Sequence, residues 1–278
     1  MERQTHRIAQ VFRAVERVNV DACYEATTGG RAQCLTLLVL LLTSAFPSWG
    51  EERAASREQI ARQLAAGVTD FSNLVAPGVD LSSLDFTGTR LFGANLAGAN
   101  LSGAKLVRCN LDVAILRDAL LVNADLREAS LFASVLANAN LNQADLRSAR
   151  LMGNFERANL EGADLSAVRG GADMRNQPMG LIRMVLTHAR MQGAKLTGAD
   201  LSRADLSYAD LRDADLSHAD LTRAKLIGAD FTGAKLDKAT LTGAQIDQAV
   251  FSGVVDLPDL AGTEGRETAI FRASGQRD

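Results

Sequence analysis

The chain has 278 residues, a net charge of −3 and aromatic residues at only 5%. That balance argues against a basic nucleic-acid-binding surface and a strongly acidic one, and the shortage of rings suits a narrow core of small aliphatic side chains. Three cysteines in this length supply no disulfide framework.

The first fifty residues form an N-terminal extension. Cys34 to Trp49 reads CLTLLVLLLTSAFPSW, too short for a bilayer span, which takes about 20 residues. It has the size of a signal-peptide core, and Ser48 and Gly50 put small residues at −3 and −1 for cleavage. The segment ahead of it exceeds an ordinary n-region, which a start at Val20 explains. The expected location is therefore exported, in the periplasm or in a thylakoid lumen if the source is cyanobacterial, with no stable membrane span after processing. An uncleaved anchor and a buried apolar helix are the alternatives, and without a signal peptide the chain is cytoplasmic. Cleavage after Gly50 leaves only Cys109 of the cysteines, at an inward position of the repeat, where it reads as a small buried hydrophobe.

Residues 51–70 carry a helix signal. Ser56 and Gln59 have capping-box spacing, Ile60 and Leu64 make a short apolar stripe, and Gly67 stops it. A helix over 55–66 is expected to cap one end of the repeat region.

From about residue 81 to about 251 the sequence repeats every five residues, as in Ala99-Asn100-Leu101-Ser102-Gly103 and Ala199-Asp200-Leu201-Ser202-Arg203, with Phe71 and Ala76 as less regular units ahead of it. At about 100° per residue, a helix would scatter leucines five apart around its axis. A continuous strand would alternate them between faces. Within each unit, however, Ala and Leu stand two apart, so a short extended piece points both inward and the next residues turn the corner. Chained units give a closed coil. The first block spans 71–165 and loses one residue between Leu151 and Phe155. Residues 166–185, with Gly170, Gly171 and Pro178, break the pattern, and a second block covers 186–253. Residues 254–278 are expected to be a mobile tail.

The Leu/Phe-centred units resemble the pentapeptide-repeat family. The resemblance implies an all-β fold: a right-handed quadrilateral β-helix (a solenoid), here with a short N-terminal helical cap. It implies four units per coil, residues twenty apart stacked, and roughly eight coils in a rod near 40 Å at strand spacing. It also brings an alternative function, because some members resemble B-form DNA and inhibit DNA gyrase, a type II topoisomerase, in the cytoplasm. Here Asp alternates with Arg and Lys, which argues against a continuously acidic side.

The repeat carries no catalytic, cofactor or metal motif, so neither an enzyme nor a cofactor is expected. Asp205, Asp210 and Asp215 fall on successive sides and point apart. Asp200 and Asp220 should stack, with Arg203 and Arg223 compensating them, as Arg127 and Arg147 do for Asp125 and Asp145. Methionines 152, 174, 179, 184 and 191 gather around the broken register and read as gap-filling packing, with a soft-metal site as the sharper alternative. What remains is an apolar outer patch at positions that should face solvent: Phe92, Val113, Ile115, Leu120, Val122, Phe132, Val135 and Met152. A patch of this kind marks a contact surface. The expected function is a non-catalytic scaffold or protein-binding rod, with a protein partner or a second copy on that patch and no nucleic acid. Cover from within, by the helix at 55–66 or by 166–185, is the competing expectation.

Overall fold

A computed structural model describes residues 54–171 and 183–272. The apolar stretch at 34–49, the segment 172–182 with Met174 and Met179, and residues 273–278 lie outside the described residues.

Each unit of five makes one side of a square. The Leu or Phe and the Ala two positions before it point inward and are almost completely buried, as at Ala99, Leu101, Ala119 and Leu121. The two residues after the Leu turn the corner. The chain closes there with a bond such as Ala94 N–H to the Leu91 carbonyl at 3.1 Å, and the second corner residue takes a positive φ, 66° at Gly93 and 58° at Asn73. That is type II turn geometry, which favours Gly or Asn at this position. The residue before each Leu pairs in parallel with its counterpart one coil on, Asp80 with Asn100 and Asn100 with Leu120, so twenty residues complete one right-handed coil.

The abundant Asp and Asn before each Leu have a local cause. Their side-chain oxygen accepts the backbone N–H two residues on, as Asn100 does from Ser102 (3.1 Å) and Asp220 from Thr222 (2.8 Å). These are Asx turns, which pin the corner that a bare backbone would leave loose.

The column of pairings from Val75 to Glu264 has ten positions. At about 4.8 Å per layer the ladder is some 43 Å long, longer than the eight coils read from the repeat. The additions lie at both ends. Phe71 and Ala76 are regular interior residues of the first coil. At the other end, residues 254–272 form a further coil and not the expected mobile tail. Strand β1 (Val250–Ser252) pairs in parallel with β2 (Ile270–Arg272), and Phe231, Phe251 and Phe271 stack at 5.0 and 5.4 Å.

Both register irregularities are absorbed by the ladder. Val135 pairs with Asn154, a step of nineteen, because the corner after Leu151 lacks its positive-φ residue. Asn154 then pairs with Val185, a step of 31 in place of twenty, so eleven residues are additional there. Eleven gained and one lost make ten, a multiple of five, and the second block therefore returns to the original frame. The coil itself runs on through Gly170 and is regular again at Met184, so the break is narrower than 166–185.

Helix α1 (Arg57–Ala65) closes the first coil as expected. Ser56 accepts the Gln59 N–H at 3.3 Å, Ile60 is fully buried on the interior, and Arg57 donates to the Asp80 and Ser82 carbonyls at 2.9 Å each. Solenoids need such an end, because a terminal repeat has no neighbour to cover its apolar face.

Candidate functional site

The corner after the Leu91, Leu111 and Leu131 sides, with the start of the next side, gathers most of the sequence candidates. Phe92, Asp112, Phe132 and Met152 occupy equivalent positions in successive layers, linked by bonds such as Gly93 N–H to the Asp112 carbonyl (2.9 Å) and Val113 N–H to the Phe132 carbonyl (2.8 Å). Beside them Ile115 pairs with Val135. Phe92 is 41% exposed, Val113 48% and Ile115 42%, while Phe132 and Val135 are half-buried. Together they form one apolar line parallel to the rod axis.

Three of the sequence candidates behave differently. Leu120, 43% exposed, pairs between Asn100 and Asn140 on the following side, and Val122 lies half-buried beyond it, so both are separated from the line by the width of a side. The five-residue spacing that makes them neighbours in sequence rotates them a quarter-turn around the coil. Met152 is 3% exposed and buried, contrary to expectation. The residue lost after Leu151 removes the outward step of the corner, and the shortened backbone holds Met152 against the wall. Among the described residues helix α1 bonds only to the first coil, at Asp80 and Ser82, and does not cover the line.

Val113 is the unusual member. Its φ is +61°, in the left-handed region where a β-branched side chain is a true outlier. Equivalent corners use Asn73 and Gly93 without that cost. Asp112, between Phe92 and Phe132, has its carboxylate occupied by the Ser130 hydroxyl (2.5 Å) and the Phe132 N–H (2.9 Å). Sequence reasoning missed this residue and Arg150, whose guanidinium lies 4.3 Å from the Phe132 ring centre. The twenty-residue stacking rule was the available signal, since it places Arg150 one layer beyond Ser130 beside Phe132.

The charged columns are built as surface, not as sites. Arg127 forks onto Asp125 (2.8 and 2.6 Å) and reaches Asp145 at 3.6 Å; Arg147 does the same to Asp145 (2.9 and 2.7 Å) and approaches Asp164. The Arg127 hydrogen bond holds the Asp125 carboxyl below its ordinary range. At Asp145 burial pushes upward, but the Arg147 side-chain and backbone bonds and the two guanidinium charges outweigh it. Asp200 and Asp220 do stack, yet among the described residues Arg203 and Arg223 form no ion pair with them. The nearby hydroxyl and N–H of Ser202 and the N–H of Thr222 take that place. Asp205, Asp210 and Asp215 pair with Lys225, Asp230 and Lys235 in separate columns, and no described group of His, Cys, Asp or Glu has the arrangement to hold a metal. Met184 and Met191 are fully buried in the interior. Cys109 is buried beside Thr89 and the Phe86 carbonyl, and burial raises its thiol pKa. Among the described residues no helix is long and apolar enough to cross a membrane.

A family model for pentapeptide repeats matches in eight copies, over residues that run from 94 to 169 and from 185 to 253. Among solved structures, HetL, a pentapeptide repeat protein involved in heterocyst differentiation regulation in the cyanobacterium Nostoc sp. strain PCC 7120, is 31% identical, with 79% of this chain and 94% of HetL covered and a TM-score of 0.45. QnrB1, a plasmid-mediated fluoroquinolone resistance protein, is 17% identical over 72% of this chain and 86% of its own, with a TM-score of 0.42. A pentapeptide repeat protein of the Arabidopsis thaliana thylakoid lumen is 21% identical over 69% of this chain and 87% of its own, with a TM-score of 0.19. No curated protein matches significantly.

Proposed function

This chain belongs to the pentapeptide-repeat family, and we propose that it is a non-catalytic scaffold whose apolar corner binds another protein. The observation that carries the reading is the exposed line of Phe92, Val113 and Ile115, held open although one member sits in a strained backbone conformation. Isolated apolar surface residues need no explanation, whereas a contiguous line marks an interaction site. Strain retained at a surface position points the same way.

Export, to the periplasm or a thylakoid lumen, is part of the proposal and rests on the apolar stretch 34–49 and the small residues Ser48 and Gly50. The alternative, a cytoplasmic DNA mimic acting on a topoisomerase, has less support because lysines interrupt the aspartates: Asp85, Lys105, Asp125 in one column and Asp205, Lys225 in another. DNA presents unbroken negative charge.

Two measurements test the reading. Fractionation of the native cell should find a product beginning near Glu51 outside the cytoplasm, and a full-length cytoplasmic product refutes export. Cross-linking with a photoreactive residue at Ile115 should yield a discrete adduct that Phe92→Asp abolishes. An adduct pattern unchanged by Phe92→Asp refutes the contact surface. Phe92 is the better variant, because Phe132 is half-buried under Arg150 and its loss also costs stability.

A further inference from the structure

The two edges of the apolar line carry different charge. On the Leu91–Leu111–Leu131 side the column of paired residues runs Asp70, Arg90, Asn110, Ser130, Arg150, Arg169, Asp200, with three cations and no acid in the five layers between the two aspartates. Arg90 approaches Asp70 only at 3.9 Å, and among the described residues Arg150 and Arg169 form no ion pair. One acid, Asp112, lies inside the line; it keeps its negative charge, and its Oδ1 accepts from the Ser130 hydroxyl and the Phe132 N–H, so three cations stand against one acid there. The opposite edge is balanced, with Arg117 beside Asp118 and Glu156 beside Arg157.

Layer spacing selects the shape of what can lie there. Successive layers are about 4.8 Å apart, whereas same-face residues of an extended strand along the rod would recur every 6.6 Å or so and fall out of step. A helix lying along the rod brings an apolar residue round every 5.4 Å or so, close to the layer spacing. Arg90 to Arg169 spans four layer steps, about 19 Å, the length of about thirteen helical residues.

We propose that the apolar corner receives an amphipathic α-helix of a partner protein, three to four turns long, with Asp and Glu along the edge that meets Arg90, Arg150 and Arg169. This rests on the protein-binding reading and specifies the partner's chemistry. The chain's own first twenty residues have the wrong sign for the role, with Arg3, Arg7, Arg13 and Arg17 against Glu2 and Glu16. Charge complementarity of this kind sets specificity and orientation more than affinity, and helix-in-groove recognition reads anchors at i, i+3, i+4 and i+7.

The test uses the full chain and two labelled sixteen-residue helical peptides that share one leucine face. One carries Glu along the flanking edge and the other Lys. Fluorescence anisotropy should show the Glu peptide binding at least tenfold tighter, less so at high salt. Phe92→Asp should abolish binding, and Arg90→Glu combined with Arg150→Glu should reverse the preference. Equal affinity for the two peptides, with Phe92 dependence kept, overturns the acidic-helix inference and leaves the contact surface standing. No Phe92-dependent binding of either peptide overturns the inference, and an unchanged pattern in the Ile115 cross-linking experiment removes the surface as well. Phe92-dependent sedimentation with phosphatidylglycerol vesicles, tighter than peptide binding, overturns it in favour of an anionic lipid surface.

Discussion

Replacing Val113 by Asn should make the protein more stable while weakening its interaction surface. Val113 holds φ at +61°, where an L-residue pays about 1–2 kcal/mol and a β-branched one the upper part of that range. Asn relieves most of this cost, as it does at Asn73, Asn123 and Asn138, whose φ values are 58°, 56° and 60°. Against the gain stands the lost contact of the valine methyls. Val113 is 48% exposed, so its contact amounts to about half of full Val burial, about 0.8–1.5 kcal/mol, and the Asn side chain keeps part of it. The net expectation is a gain of about 0.5–1 kcal/mol, or 1–3 °C in Tm for a body of this size. Thermal unfolding by circular dichroism measures the shift, and the cross-linking experiment should show reduced adduct at the same time. A fall in Tm of more than about 1 °C refutes the reasoning, because it would mean the valine is packed under something and the corner is not open.

Other perturbations test the frame. Gly153→Ala should cost more than about 2 kcal/mol, since a Cβ there would press into the Ser134 backbone carbonyl, which cannot swing aside; a urea midpoint within error of the parent contradicts this. Ile60→Ala should cost about 2–4 kcal/mol locally and, because solenoid coupling is between neighbours, speed amide exchange in residues 70–90 while leaving 200–240 unchanged. Uniform acceleration along the rod would argue against that. Acid sensitivity is set by the carboxylates. Asp70, Asp80, Asp85, Asp125, Asp145, Asp210 and Asp215 are all held below their ordinary pKa. The unfolded chain therefore binds more protons as pH falls below about 4, so their contribution is complete above that value and is lost as pH drops through the lower folded pKa values. Urea midpoints should be flat from about pH 5 to 8 and decline below about 4, and Asp145→Asn should flatten the decline.

The period of five, with Ala and Leu two apart, was enough to derive a closed coil with those two side chains inside, because only one backbone path keeps both inward. The cap was equally legible, since Ser56, Gln59, Ile60 and Gly67 act within one short helix. The same local logic explains why Cys109 was correctly placed in the interior. The last coil was not legible. Phe271 reads as a tail residue until Phe251 and Phe231 are seen beneath it at stacking distance, a contact between residues twenty apart in a segment whose five-residue pattern has faded.

Leucine spacing therefore determined by itself that the chain is a coil and which residues line it, because every unit repeats the same local turn; four units to a coil, with residues twenty apart stacked, followed from the family resemblance. Which surface residues meet was decided only by the stacked structure. Leu120 left the apolar line because a quarter-turn separates it from Ile115, Met152 went under because a missing residue shortened one corner, and Arg150 came to rest on Phe132 from the neighbouring layer. Surface neighbours in a solenoid are set by the sum of all insertions and deletions before them, a quantity the ladder of backbone pairings fixes and a local sequence pattern does not.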